Sequence, residues 1–310
     1  MTPAGTKMQQ ARISVVIPHL NQPEHLARCL ASLGAGSRQP DEIFVVDNGS
    51  AEMPLAICAA HPGVVLLREP IPGPGPARNL GVAAASGDIL AFIDADCLAD
   101  PGWLVAAEAA MKDPAATILG GDVRIALADP ARLTPLEAYE SVYAYRMDRY
   151  IAQEGFTGTG NLMVRRTVLA AVGPFAGLAV AEDRDWGQRA TRMGHDLRYV
   201  AGMKVYHPAR QSFADLAKKW DRHTAHDFVA ARAKPGGRLR FALKTAAMGL
   251  SPLAEIPRLL ASDRLSGMRS RLLALGCLAQ IRFYRTRIMA RLLVGGDPAE
   301  LSGAWNRKLD

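Results

Sequence analysis

Two aspartates stand at i and i+2 in Asp94-Ala95-Asp96, directly after the apolar run 89–93. Residues two apart in extended backbone point the same way, so both carboxylates would address one place. Hard divalent cations prefer oxygen donors, and Mg2+ commonly takes one or two carboxylates together with phosphate oxygens. The plain alternative is a solvated turn that caps a helix, although Asp100 before Pro101 fits that task better. A second acidic cluster, Glu182-Asp183-Arg184-Asp185-Trp186, opens a stretch of helical periodicity. Acidic residues in a first helical turn complement the dipole. The alternative is that one of them is a general base. An aspartate with a pKa of about 4 is ionised at neutral pH and can take a hydroxyl proton in the transition state. His207, in Tyr206-His207-Pro208, ends an extended run and is either a structural histidine or a metal ligand.

Two more segments suit a phosphorylated ligand. Asp47-Asn48-Gly49-Ser50 follows the second apolar run. Asn-Gly signals a turn; Asp47 or Ser50 then caps the next helix, or Asp47 accepts hydrogen bonds from a base or ribose. Gly75-Pro76-Ala77-Arg78-Asn79 opens a helix. A helix start beside an arginine favours a pyrophosphate, whereas the glycines alone would make only a tight turn. A dinucleotide fingerprint is disfavoured, because prolines interrupt the glycine cluster and it does not follow the first strand.

These polar clusters need a frame that collects them. Residues 13–17, 42–46, 64–67 and 89–93 are short β-branched runs that read as buried strands. Residues 24–33, 51–60 and 76–86 between them read as helices. This alternation predicts an α/β fold with a mostly parallel sheet flanked by helices. Ligands of such sheets bind beyond the carboxyl ends of the strands, which is where His19, Asn21, Asp47 and Asp94 fall. Further on, 134–150 and 182–193 read as helices, and 156–164 and 197–206 as extended. The chain beyond Ser212 reads as all helical, with a break at Pro235-Gly236-Gly237. The expected organisation is a flexible segment 1–11, a catalytic domain 12–234 and a basic helical extension 235–310.

Composition narrows the class. About half of the 310 residues are apolar and 22% are charged, ordinary for a folded chain. Four dispersed cysteines form no CxxC pair, so neither a zinc site nor a disulfide framework is expected, and reduced cytoplasmic thiols are the simplest reading. The first residues lack the apolar core of a signal peptide, and no run reaches the about 18 apolar residues of a spanning helix. From Arg232 onward there are 15 basic and 5 acidic side chains, against 22 and 25 before it. A near-neutral body with a basic tail suggests that the tail meets something anionic.

Taken in order, the segments resemble family 2 glycosyltransferases of the GT-A fold, of the bacterial envelope and exopolysaccharide type. The matching stretches begin with Ser14-Val15-Val16-Ile17-Pro18-His19-Leu20-Asn21, Val45-Val46-Asp47-Asn48-Gly49-Ser50 and Gly75-Pro76-Ala77-Arg78-Asn79-Leu80-Gly81. They continue with Phe92-Ile93-Asp94-Ala95-Asp96, Thr159-Gly160-Asn161-Leu162-Met163-Val164-Arg165-Arg166, Val172-Gly173-Pro174-Phe175 and the acidic cluster at 182–186. The resemblance covers roughly two thirds of the chain, about residues 12–210. It implies a nucleotide-sugar site with Pro18, Asn21 and Asp47 toward the base, Asp94 at the ribose and Arg78 near the nucleotide. It also implies Gly160 and Asn161 in the loop that shapes the sugar pocket, Asp96 and His207 on a divalent metal (Mg2+ or Mn2+), and Asp183 as catalytic base with Glu182 beside it.

His19-Leu20 departs from the Thr-Tyr usual in the family, so contacts to the base would differ. The Q-x-x-R-W signature of processive synthases is absent, and Lys219-Trp220-Asp221-Arg222-His223 stands in a similar region without matching it. The expected reaction is therefore non-processive: one sugar moves from a nucleotide-sugar, expected to be UDP-linked, to an acceptor hydroxyl. A cation would offset charge growing on the leaving diphosphate. Asp183 would act from the opposite side of the sugar, so the anomeric carbon inverts.

The basic tail sets Arg269, Arg271, Arg282, Arg285, Arg287 and Arg291 among apolar residues. It reads either as a helical cap with exposed arginines or as an in-plane anchor on anionic lipid. The second case would make the protein peripheral on the inner face of the cytoplasmic membrane, with a glycan or polyprenyl-linked acceptor. Competing classes are a silent nucleotide-sugar-binding module, a nucleotidyltransferase and a nucleic-acid binder. The second lacks the expected Gly-rich basic loop after the first strand. The third lacks stacking aromatics in the tail.

Overall fold

The four β-branched runs form strands as the pattern requires: β1 (Ile13–His19), β2 (Glu42–Asp47), β3 (Val64–Arg68) and β4 (Ile89–Ile93). The structure is a computed structural model and describes residues 11–178 and 180–301. Residues 1–10 of the expected flexible segment and 302–310 of the expected extension lie outside them. Four further strands follow: β5 (Leu98–Ala99), β6 (Ile118–Ala126), β7 (Asn161–Arg165) and β8 (Leu197–Pro208). All eight make one sheet in the order β3-β2-β1-β4-β7-β6-β8-β5. The β3-β2-β1-β4 half is parallel. Beyond it β7 runs antiparallel to both β4 and β6, β8 parallel to β6, and β5 antiparallel to β8.

Helices cover both faces of this sheet. On one face α1 (Pro23–Gly34) and α4 (Trp103–Met111) contribute Leu26, Leu30, Trp103 and Leu104 to a core with Val15, Ile17 and Ile93. On the other, α3 (Pro74–Ala84), α7 (Arg166–Val172) and α8 (Glu182–Arg192) bury Ala77, Leu169 and Trp186 against Val16, Phe92 and Val164. Leu55–Ala59 forms a short α2, and α6 spans Met147–Glu154. The approach of α3 is set by Gly81, whose absent Cβ would stand 2.4 Å from Val16 Cγ1.

The chain divides into two compact units. The first holds the described residues up to Ala126 together with Tyr145–Pro208, and therefore the whole sheet. The second holds Leu127–Ala144 and the described residues from Ala209 on. The expected boundary at 235 is thereby moved. Pro235-Gly236 is only the turn between α9 (Phe213–Arg232) and α10 (Gly237–Ala254), where Gly236 has φ +66°. Both helices share one core, with Phe228 and Phe241 edge-to-face at 5.0 Å between ring centroids. The unit is completed by α5 (Pro135–Tyr143), α11 (Ile256–Leu260) and α12 (Gly267–Leu293). A capping box starts α5: Thr134 Oγ1 accepts from Glu137 N, and Glu137 Oε2 accepts from Thr134 N at 2.7 Å.

The single helix expected over 134–150 is two helices, α5 and α6. The chain turns between them at Tyr145, which sits in the left-handed region at φ +49°. The same turn passes the chain from one unit to the other. Among the described residues no helix is long and apolar enough to cross a membrane. All four cysteines are buried and free.

Candidate active site

Strand register gathers the expected residues, all within the first unit. β1 and β2 pair so that His19 lies beside Asp47. β4 and β7 pair Ile93 with Asn161, which sets Asp94 beside Gly160. The short β5 pairs Leu98 with Tyr206 of β8, which brings Asp96 back to His207. The polar ends of three separate strands thus reach one sheet edge, as ligand sites of α/β sheets require.

Arg78 joins two of these groups across the chain. It is 3% exposed; Nη2 donates to Asp94 Oδ1 at 2.6 Å, and Nη1 donates to Glu182 Oε1 at 2.9 Å. One guanidinium on α3 therefore ties the end of β4 to the start of α8. The second oxygen of Asp94 faces Gly160, where a Cβ would stand 2.6 Å from Oδ2. Only glycine leaves that oxygen its space.

Asp183 is the next residue along α8. Its pKa is raised, first by burial and then by the charge of Glu182, with Asp94 adding to it. Its Oδ1 accepts from Arg184 N at 2.7 Å. A half-buried carboxylate of raised pKa beside other carboxylates is the kind of group that serves as a general base.

Asp96 Oδ2 lies 3.4 Å from His207 Nε2. Burial raises the Asp96 pKa, the histidine opposes this, and Asp94 adds to it. Tyr145, at the positive-φ turn, stacks on His207 with ring centroids 4.5 Å apart and places its hydroxyl 3.1 Å from Nε2. Nothing in the sequence pattern singled out Tyr145; its role follows from a backbone turn that hydrophobic periodicity does not show. Among the described residues no three or more His, Cys, Asp or Glu are placed to hold a metal ion by themselves. The pair Asp96 and His207 nonetheless fits a divalent cation as a partial donor set. One oxygen and one imidazole nitrogen converge there, and diphosphate oxygens would complete the shell.

Other expected residues face inward. Asp47 is fully buried. Its Oδ1 is 3.1 Å from His19 Nδ1, and its Oδ2 accepts from Gly49 N and Ser50 N. Burial raises its pKa, but bonds from Ser50, His19 and the backbone outweigh that and lower it. His19, the departure at the first motif, is therefore the partner of Asp47. Asn161 is likewise fully buried: Nδ2 donates to the carbonyls of Asp122 and Met203, and Oδ1 accepts from Trp103 Nε1 at 2.8 Å. Its side chain clamps β6 and β8 at the bulge after Gly121. Asn21 stays exposed at φ +52°, with Oδ1 accepting from Ala51 N at 2.8 Å, and Pro18 is half-buried beside it.

Cys29 and Cys97 lie under the acidic pair, with Cys29 Sγ 3.7 Å from the Asp94 carbonyl and Cys97 Sγ 3.8 Å from Asp96 Oδ1. Burial, followed by the nearby aspartates, pushes both thiols well above their usual range. They remain protonated packing groups.

A sheet of this order with carboxylates from β4, β5 and α8 at one edge is the GT-A design of sugar-nucleotide enzymes. The model of Glycosyl transferase family 2 matches residues 14–173, and the chain belongs to that family, a glycosyltransferase that draws on nucleotide-sugar donors. Glycosyltransferase AglE of Haloferax volcanii is 33% identical over 215 residues, covering 67% of this chain and 70% of the relative. The mannosyltransferase PcManGT of Pyrobaculum calidifontis, solved with GDP-Man and Mn2+, superposes at a TM-score of 0.56. It has 18% identity, over 97% of this chain and 89% of that one. Glucosyl-3-phosphoglycerate synthase of Mycobacterium tuberculosis, solved with Mn2+, UDP and glucosyl-3-phosphoglycerate, superposes at 0.50. It has 23% identity, over 69% of this chain and 78% of that one.

Proposed function

We propose that the chain is an inverting, non-processive transferase that moves one sugar from a UDP-sugar to an acceptor hydroxyl with a divalent cation present. The observation that carries this reading is the bridge from Arg78 to Asp94 and Glu182. It ties the nucleotide end of the cleft to the helix that starts with Asp183. Asp94 and Arg78 are assigned to the ribose and nucleotide, with Pro18 and Asn21 at the base and the buried Asp47 behind them. Gly160, with Asn161 behind it, leaves room for the sugar beside Asp94.

Asp96 and His207 would hold Mg2+ or Mn2+, which when bound supplies positive charge to the departing diphosphate. Tyr145 keeps the His207 ring in place. Asp183, in its ionised form, accepts the acceptor hydroxyl's proton. Glu182 neighbours it while remaining held by Arg78. Attack from the side opposite the leaving diphosphate inverts the anomeric carbon, giving a β-linked product from an α-linked donor.

For the acceptor we propose a glycan or polyprenyl-linked glycan of envelope or exopolysaccharide synthesis, met on the inner face of the cytoplasmic membrane. What supports a membrane surface is α10. Leu239, Leu243, Leu250 and Leu253 are each at least 64% exposed. At 3.6 residues per turn they fall within roughly a quarter of the helix circumference. Arg238 and Arg240 flank them, the pattern of a helix lying in an anionic interface.

The donor and metal are tested by thermal shift with UDP-, GDP- and dTDP-sugars in Mg2+, Mn2+ or chelator. The GDP-Man bound to the archaeal neighbour makes the GDP-sugar the pointed comparison. A UDP-sugar shift that needs the cation and disappears in Asp96→Asn supports the reading. A shift of equal size in chelator removes the metal from it.

A further inference from the structure

Trp220 on α9 is the hub of a basic cluster inside the helical unit. The Arg285 guanidinium, from α12, lies 3.8 Å from the indole centroid. His223 packs on the same indole at 5.5 Å, and Lys219 Nζ is 5.7 Å away. Arg285 is 7% exposed and its Nε is a buried donor without a partner; among the described residues no carboxylate forms an ion pair with it, and the charge that opposes its own comes from Asp227. One turn along α9 from Trp220, the Thr224 hydroxyl is 2% exposed and equally unpartnered.

Four carboxylates of the unit have hydrogen-bond or ion-pair partners of their own. Glu140 accepts from Arg210, through the backbone N at 2.8 Å and through the guanidinium. Asp221 accepts from Tyr284 Oη at 2.9 Å, and Asp227 pairs with Lys244 at 2.6 Å. Glu255 is shared by Arg258 and Arg282. Around Trp220 positive charge prevails, with Asp227 opposing it at Arg285 and His223 and Glu140 opposing it at Lys219. Burial, then Arg282, pulls the Arg285 pKa down to about 10; burial, then Arg210, lowers Lys219 to about 8. Burial, then Lys219 and Arg285, lowers His223.

Stacking on an indole compensates a guanidinium in part, but an unpaired buried charge is among the most expensive things a fold can hold. A guanidinium fork and an ammonium are both able to donate to the oxygens of a phosphate dianion. Lys219 is half-buried and leaves the cluster open on its side. We propose that this cluster is an anion site taking a phosphoryl group, free or carried on a lipid headgroup, with Arg285 and Lys219 as its principal ligands. The site lies wholly in the helical unit, and the proposal stands apart from the transferase reading because its readout is binding alone.

The test uses the full chain. Thermal unfolding is compared in inorganic phosphate and in chloride at equal ionic strength. In a second arm, sedimentation is measured with vesicles containing phosphatidic acid or, at equal charge, phosphatidylglycerol. The expected result is a phosphate-dependent rise in Tm that Lys219→Met and Arg285→Met abolish, each weakening phosphate by about tenfold or more. If inorganic phosphate has no effect but a preference for phosphatidic acid is lost in Lys219→Met, the source of the phosphoryl group is lipid. A protein indifferent to both, or a response that persists in Lys219→Met, overturns the proposal. Lys219 is half-buried and makes no hydrogen bond that folding needs, so Lys219→Met carries the test even where Arg285→Met fails to fold.

Discussion

A base is useful only while it is ionised, so with Asp183 as the proposed base its raised pKa would set the acid side of the reaction. Burial and then Glu182 raise it; activity is lost as pH falls through that value. The acid limb of kcat/KM is therefore expected above the pH of about 4 at which an ordinary aspartate titrates. Glu182→Gln removes the neighbouring charge and is expected to move the limb downward. A limb at the ordinary value that ignores this substitution would assign the proton to another group. Single residues of the site were legible to different degrees. Asp94 and Asp96 stood out by type and spacing, whereas Asp183 was singled out within its acidic cluster only through the family resemblance. The His19 and Asp47 pair needed the β1–β2 register, and the inward turn of Asn161 needed the packing of Trp103, neither of which a linear pattern carries.

Elements show where the sequence speaks and where it does not. The four β-branched runs, α1 and α3 were legible because each repeats its own period, whereas the helix expected over 51–60 is only the five-residue α2. Strand β6 was not legible, since Gly120 and Gly121 interrupt its apolar run; both are needed, because a Cβ there would stand 2.5 Å from Thr157 Oγ1 and 2.2 Å from Asn161 Nδ2. The break between α5 and α6 was hidden for the opposite reason. Its residues keep a helical period through Tyr145, and only the backbone turn there departs from it. Glu42, at the start of β2, gives a test at this scale. It accepts from Ser14 Oγ at 2.6 Å and from the Ser86 backbone and hydroxyl, stitching β1, β2 and the end of α3. Burial raises its pKa, but these bonds prevail and bring it to about 2. A folded pKa below the unfolded value adds stability above the unfolded pKa of about 4.3, and that stability fades as pH falls toward 2. Glu42→Gln is expected to cost on the order of 2 kcal/mol at pH 7, with the difference shrinking between pH 4 and pH 2 in urea titrations. A constant difference across that range would mean the carboxylate charge is not what holds the strands.

The molecule as a whole has a sheet unit that holds the proposed catalytic carboxylates and a basic helical unit that has an exposed leucine stripe. Composition revealed the basic tail, but not which arginines are buried: Arg285 belongs to the interior, contrary to an exposed cap. Burying a leucine in an apolar phase contributes about 1.5–3 kcal/mol, so charges placed in the stripe should release the protein from lipid. Leu243→Glu with Leu250→Glu is expected to reduce sedimentation with anionic vesicles by tenfold or more at unchanged Tm, about 1.4 kcal/mol or more in binding. Equal sedimentation would leave α10 as a solvent face.

Asp183→Asn tests the centre of the account most directly, by donor binding and transfer measured on the same preparation. The substitution keeps the size of the side chain and removes its ability to take a proton. The expected result is UDP-sugar affinity within about twofold of the parent protein, with transfer slowed by about a thousandfold, in the range general-base loss produces. Transfer within tenfold of the parent would contradict Asp183 as the base, and with it the placement of the reacting hydroxyl at the start of α8.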